Sequence, residues 1–459
     1  MSSPTLRVKS DEIDDVSKRG KYTVSIIDCG QNGVFHAYLF ADAGFSVRCV
    51  DADQTAIDHI TKGRRIFLNQ EAKFKMKNYV KTARLEATCD VKDAVSRSDI
   101  IIIAVPVKID EKKKVNNSEM VNVCKRVGSC LQRGCLVIVV SIVGLGVIEG
   151  LIRETLENTS GLKVGVDFGL AYSPIAEPEG QTLDSATNNS RIVAALDKNS
   201  LEAASAILEI ITKKKVKRAQ NTKTAELATL FKGTQRDVNS AVANEFALFC
   251  EKAGVDCLEV YKLVETDTCS ASSLSTPTCG SLQKEPYILL EDAENYNVKM
   301  RVPAVARETN EEMVKHVVDM SREALRACGK SLRRARVSLL GISRAQNMED
   351  SSRALVKELT ERLESKGAKV NVYDPNFSAD ELGDLQSNFK RNLTEAAENA
   401  DCIVVLANHD QFRHLNLKKL KVVMKTPAAI VDVEGIIEPD KVEKEEFIYR
   451  GLGRGVWKK

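Results

Sequence analysis

The chain predicts an α/β protein in which two parallel-sheet units are joined by a long central helix. Three observations carry that expectation. Near-continuous apolar runs, "SDIIIIAVPV" (98–107) and "GCLVIVVSI" (134–142), alternate with amphipathic stretches, as suits strands covered on both faces. The same alternation restarts near residue 335. Between the two, Leu227, Phe231, Val238, Val242, Phe246 and Phe249 recur near helical spacing.

Taken in order, residues 1–20 are polar and charged and are expected to form a flexible tail. "YTVSIID" and "FSVRCVDAD" read as β-branched strands separated by a helical stretch from Val34 to Ala43. The two apolar runs supply further strands of a unit spanning 21–210. The stretch "CLVIVVSIVGLGVIEGLI" (135–152) is apolar enough to suggest a membrane span, but Ser141, Gly144, Gly146 and Glu149 interrupt it. A buried strand running into a glycine loop fits better. A central segment, 211–330, carries a helix over 222–254 with Gly254 as its C-terminal cap. At 1.5 Å per residue it would be about 50 Å long, enough to join two domains and present a dimer face. Gly233 weakens it by about 1 kcal/mol relative to alanine. In the unit spanning 331–459, "ARVSLLGIS" and "AKVNVYDP" read as strands, and "SSRALVKELTERLESKG" as an amphipathic helix ending at Gly367. "ADCIVVLANHDQF" repeats the pattern.

A length of 459 residues exceeds one ordinary core and suits two or three domains. With 43% hydrophobic and 29% charged residues the composition is globular, and a net charge of +3 argues against nucleic acid as a partner. The runs "TKKKVKR" (212–218) and "KIDEKKKVNN" (108–117) read as solvated faces, with attraction of an anionic nucleotide as the sharper reading. Twelve cysteines without a C-x-x-C pair, and no signal-peptide pattern at the start, fit free thiols in the cytoplasm. Among five histidines only His409 and His414 are close, and no metal site is expected.

"IIDCGQNGVFHAYLFADAGFSVRCVDAD" reads as strand, turn, helix, strand. Gly30 and Gly33 hold the second and third glycines of a dinucleotide G-x-G-x-x-G pattern, and Asp51 stands where a ribose-binding carboxylate belongs. The first glycine is replaced by Asp28. A carboxylate there adds bulk to a tight turn and charge beside a pyrophosphate at a helix N-terminus. Two readings stay open: dinucleotide binding, or a retained fold with an impaired site.

The order of segments resembles the UDP-sugar dehydrogenase family, which includes UDP-glucose and UDP-N-acetylmannosamine dehydrogenases. The resemblance spans about 21–455 and rests on "SDIIIIAVPV", "AYSP" (171–174), "AELATLFKGTQRDVNSAVANE" (225–245), "SLQKEPYIL" (281–289), "VARETNEEM" (305–313), "VYDP" (372–375) and "YRGLGRG" (449–455). It implies two Rossmann-like domains, a dimer, NAD as cofactor, and oxidation of a nucleotide sugar's CH2OH to a carboxylate for glycan precursors. In the family a thiolate traps the aldehyde as a thiohemiacetal. A lysine and an asparagine stabilise the oxyanion, and an aspartate assists water.

Matched onto this chain, those parts are largely replaced. The nucleophile position holds Ser281 and the aspartate position Glu285, while Gln283 and the substrate-side Lys284 agree with the glucose-type loop. The lysine falls on Thr229 and the asparagine on Gly233; Asp237 and Asn244 match as scaffold. Ile142 stands for a threonine and Ile175 for a glutamate, although Glu179 fits a second glutamate. In the nucleotide-sugar segment Asp350 is kept, but Ala345, Ser352 and Glu434 stand where cations belong. Cys279 lands two residues from the nucleophile position and reads as a bystander. The resemblance therefore implies a weakly active or non-catalytic member, as a homodimer or paired with an active homologue. The alternatives are an active enzyme of altered chemistry and a 3-hydroxyacid dehydrogenase, which the second α/β unit fits poorly. No membrane association is expected.

Overall fold

The computed structural model describes residues 6–62, 70–175, 190–264, 277–279, 283–343, 346–347, 353–379 and 382–457. The chain divides into two compact units, Met1–Gly233 with Lys284–Lys299, and Thr234–Gln283 with Met300–Lys459. The expected central segment, 211–330, is thus shared between them.

In the first unit the strands are β1 (Thr23–Ile27), β2 (Ser46–Val50), β3 (Leu85–Thr88), β4 (Ile100–Ile103), the hairpin β5 (Lys108–Ile109) and β6 (Val115–Asn116), β7 (Leu136–Val139), β8 (Gly169–Tyr172), β9 (Ile192–Ala195) and β10 (Lys217–Arg218). One sheet runs β10-β9-β8-β7-β4-β1-β2-β3. From β3 to β8 every neighbouring pair is parallel. Strand order reverses direction between β1 and β4, the crevice where such doubly wound sheets bind ligands. All four isoleucines of β4 are fully buried, as the apolar run demands. The antiparallel β9 and the short β10 extend the edge. The sequence reading misses both, because neither has a long apolar run.

Residues 6–20 correct one expectation. Instead of a flexible tail they form two short helices, Ser10–Ile13 and Val16–Arg19. Val8 and Ile13 are buried in the first core, and Tyr22 donates to Glu12 at 2.7 Å. Two apolar residues scattered among charges leave no periodicity to read, yet they suffice to dock the segment.

The second unit has one parallel sheet of β11 (Arg336–Leu340), β12 (Lys369–Tyr373), β13 (Cys402–Val405), β14 (Ala429–Asp432) and β15 (Ile448–Gly451), in the order β12-β11-β13-β14-β15. Its order reverses between β11 and β13, a second crevice of the same kind. Both units are Rossmann-like. The central helix runs from Thr222 to Ala253, and Gly254 follows it in the left-handed conformation at φ 73°, as a C-terminal cap requires. The segment "YRGLGRG" returns to the end of this helix. Gly453 N–H donates to Glu251 at 3.0 Å, and Arg454 pairs with Asp256 at 2.7 Å. A β-carbon on Gly455 would lie 2.3 Å from the Cys250 carbonyl, so close approach explains that glycine.

Candidate active site

At the carboxyl end of β1, Asp28 occupies φ 80°, a conformation suited to glycine. Its Oδ1 accepts from Gly30 N–H at 2.9 Å, at the N-terminus of the helix Gln31–Asp42. Burial, then the Asp51 and Glu119 charges, push the Asp28 carboxyl up to about 6, against the Gly30 amide and Lys108. Asp51 accepts from Cys29 N–H at 2.8 Å and Asp53 N–H at 2.9 Å, which fixes the carboxylate at the end of β2. A β-carbon on Gly33 would lie 1.8 Å from the Asp28 carbonyl, so no side chain fits there. The cradle for a pyrophosphate is therefore retained in backbone shape, with a carboxylate placed in its turn.

In the same unit the central helix brings Glu226, Thr229 and Gly233 onto one stripe, since residues three and four apart share a face. Glu226 is buried and accepts from Gly146 N–H at 2.6 Å and Ile148 N–H at 3.0 Å, holding the loop that follows Ile142. Asp292 secures the same loop through Leu145 N–H at 2.7 Å. Thr229 is buried, and its hydroxyl donates back to the Ala225 carbonyl at 2.9 Å. Gly233 faces Glu285, whose Cγ, Cβ and Cδ would lie 2.5–2.6 Å from any β-carbon added at 233. Glu285 is itself buried and opens the helix Glu285–Asn295. Tyr172, at the end of β8, is fully buried; burial and then the nearby Glu226 charge raise its phenol, with Glu285 adding to them. Two carboxylates, a threonine and a tyrosine thus converge here.

The second unit holds a buried polar network. Arg307 pairs with Asp237 at 2.6 Å, and Asn310 donates to the Asp237 carboxylate and carbonyl, both at 2.9 Å. Asn244 donates to Asn310 at 2.9 Å and accepts from Thr278 N–H at 2.8 Å. The chain just before residue 281 is thereby tied to the central helix. Cys279 is 3% exposed and lies in the core of this unit, with Sγ 3.9 Å from the Met313 carbonyl. At the β11/β13 crevice, Asp374 accepts from Ile342 N–H at 2.8 Å and Ser343 N–H at 3.0 Å. His409 Nε2 donates to it at 3.1 Å while Nδ1 accepts from Asn347 N–H at 2.9 Å. Burial opposes ionisation of Asp374, but His409 and the backbone outweigh it and hold the carboxyl below its ordinary value.

Residues 22–212, 223–312 and 338–439 match, in that order, the NAD binding domain, the central domain and the UDP binding domain of the UDP-glucose/GDP-mannose dehydrogenase family. The chain belongs to that family. It is 28% identical over 438 residues to a UDP-N-acetyl-D-mannosamine dehydrogenase of Pyrococcus horikoshii, covering 94% of this chain and 99% of that protein. It is 25% identical over 446 residues to a UDP-glucose 6-dehydrogenase of Rhizobium meliloti, covering 94% and 99%. A solved structure of UDP-D-ManNAc dehydrogenase from Pyrococcus horikoshii superposes with a TM-score of 0.81 at 27% identity, covering 95% of this chain and all of that one.

Within this dehydrogenase family frame, the structure brings Thr229 and Glu285 together in the first unit, and Gly30, Gly33 and Asp51 at the cofactor crevice. Lys284 is exposed. Ser281, Glu179 and Asp350 lie outside the described residues. NAD, when bound, would supply the hydride acceptor; Gly33 and Asp51 fit it, and Asp28 places a carboxylate in the turn beside it. Arg191 was missed by sequence reading. It is buried at the start of β9 and donates to the Ser173 carbonyl at 2.8 Å, with Nε and Nη1 unpartnered among the described residues. Burial draws its guanidinium down to about 9. The only sequence signal was an arginine opening an apolar run.

Proposed function

We propose that the chain is a weakly active or non-catalytic member of the NAD-dependent UDP-sugar dehydrogenase family, keeping the nucleotide-binding framework but not the thiol-dependent second oxidation. The contact of Glu285 with Gly233 carries this reading. Where the family places an oxyanion-stabilising asparagine, the volume belongs to a buried carboxylate. The donor that would stabilise an oxyanion is thereby absent, a loss of about two to three orders of magnitude in rate. The lysine position adds no cation, because Thr229 is committed to its own helix. A serine at 281 is a poor replacement for a thiolate near neutral pH.

The reading includes a nucleotide sugar as ligand and a homodimer, or a heterodimer with an active homologue. Support for a dimer comes from Val242, Phe246 and Phe249 on the central helix, which are 40%, 47% and 73% exposed. It also includes a cytoplasmic location, for which eleven free cysteines among the described residues speak. No helix among those residues is long and apolar enough to cross a membrane. A second reading, oxidation stopping at the aldehyde, is favoured by the retained Gly33 and Asp51 cradle, since the first hydride transfer needs no thiol.

The test is NADH formation with UDP-glucose and UDP-N-acetylmannosamine, beside the variant Ser281→Cys, Thr229→Lys, Gly233→Asn, Glu285→Asp. Little turnover by the unmodified protein and a gain in the variant are expected. Robust carboxylate production by the unmodified protein overturns the proposal, and one NADH per trapped aldehyde selects the second reading.

A further inference from the structure

A basic cavity lies in the second unit, at the amino ends of β11 and β12, away from the carboxyl-end crevice where Asp374 and His409 stand. Its volume is about 590 Å³, and it is lined by Arg322, Arg326, Lys330, Leu332, Arg333 and Lys366, together with Gly329 and Ser331. No carboxylate and no aromatic ring is among these lining residues. Arg322 and Arg326 are one turn apart at the end of the helix Arg301–Ala327, while Lys366 follows the helix Ala354–Ser365.

Two of the five cations have counter-ions: Arg322 meets Asp319 at 2.8 Å, and Lys330 meets Asp401 at 2.7 Å. Asp401 is also engaged by Arg336 N–H at 2.9 Å, so it is committed to the start of β11. Arg326, Arg333 and Lys366 are exposed and form no ion pair among the described residues. The Arg322 Nε–H is buried and lacks an acceptor. Complementing the dipole at a helix C-terminus accounts for one cation per helix. It does not account for Arg333 on the connecting loop, nor for the missing acceptor.

We propose that this cavity is a binding site for a small soluble polyphosphorylated anion. Guanidinium forks match phosphate oxygens in pairs, and three uncompensated cations ask for several closely spaced anionic groups rather than one. The volume falls within the roughly 300–1,000 Å³ of small-ligand sites. A nucleobase would find no ring to stack on, so recognition rests on the phosphates alone. The site is separate from the nucleotide-sugar crevice and does not depend on whether the chain is catalytic.

The test is calorimetric titration of the full chain with inorganic tripolyphosphate at physiological salt. Micromolar binding is expected, with orthophosphate weaker by at least about tenfold because it cannot reach all the cations. The double variant Arg326→Glu, Arg333→Glu should lose at least about a hundredfold in affinity, about tenfold for each lost charge-assisted contact. A control with the same charge change in the first unit, Lys92→Glu, Lys198→Glu, should stay within about twofold of the parent. Should charge reversal unfold the unit, Arg333→Gln with Lys366→Gln should still weaken binding more than the control. Absence of tripolyphosphate binding, equal affinity for orthophosphate, or equal losses in site and control variants would each overturn the proposal.

Discussion

Replacing Asp28 with asparagine keeps the side-chain shape and an acceptor for Gly30 N–H, tolerates the positive φ, and removes the charge. The carboxyl stands at about 6 in the fold against 3.8 ordinarily, so the folded state binds its proton more tightly than the unfolded chain. Stability is therefore free of this penalty below the unfolded value. It falls as pH rises through the window up to about 6, and is flat above it. A shift of this size corresponds to roughly 3 kcal/mol, reduced to about 2 kcal/mol because solvent reaches the half-buried group. Asp28→Asn should stabilise the protein by about that amount at pH 8 and flatten the pH slope. The same charge opposes NAD. A phosphate charge within about 5–6 Å of the carboxylate would be opposed by about 3 kcal/mol at an effective dielectric of 20. Calorimetric NAD titrations should show Asp28→Asn binding about a hundredfold more tightly at pH 8, with the gap closing as the parent protonates near pH 6. Asp51, Glu119 and Lys108 also face this carboxyl, and all remain in the variant. Equal affinities at pH 8, or a gap that persists unchanged at pH 5, would refute the reasoning.

Two further outcomes follow from packing. Gly233→Ala gains about 1 kcal/mol of helix propensity but drives a methyl into Glu285, so a net loss of about 1–2 kcal/mol is expected by chemical denaturation. In a Glu285→Ala background the same change should become neutral or stabilising, and a stabilising Gly233→Ala alone would sink the contact. Arg307→Ala leaves Asp237 buried without its cation and should cost about 3–5 kcal/mol in the second unit. A loss under 1 kcal/mol, read as a shift of the denaturation midpoint, would mean that the pair is not closed in solution.

Much of the fold was legible because its strongest signals are local. The run Ile100–Ile103 names a strand covered on both faces, and the central helix is found within a residue at each end, since periodicity and Gly254 mark it. The cofactor turn was legible as a motif, down to the oddity at Asp28. What escaped is non-local. That Glu285 fills the space over Gly233 spans more than fifty residues of chain, so the two substitutions read as separate losses rather than as one exchange of volume. Arg191 escaped for the same reason: a lone arginine before "IVAAL" says nothing of burial until β8 and β9 pair. The docking of residues 6–20 depended on two apolar side chains too far apart to form a pattern.

The return of residues 448–457 to the central helix has a consequence for synthesis on the ribosome. The first unit receives its closing segment by residue 299 and can assemble while the remainder is still being made. The second unit opens at residue 234, yet Glu251 waits for Gly453 across 202 residues, and Asp256 waits for Arg454 across 198. Contacts this distant in sequence form late, and partly made sheets with open edges are the species that chaperones attend. A chain stopped before β15 would leave Glu251 and Asp256, at the end of the central helix, without their Gly453 and Arg454 partners.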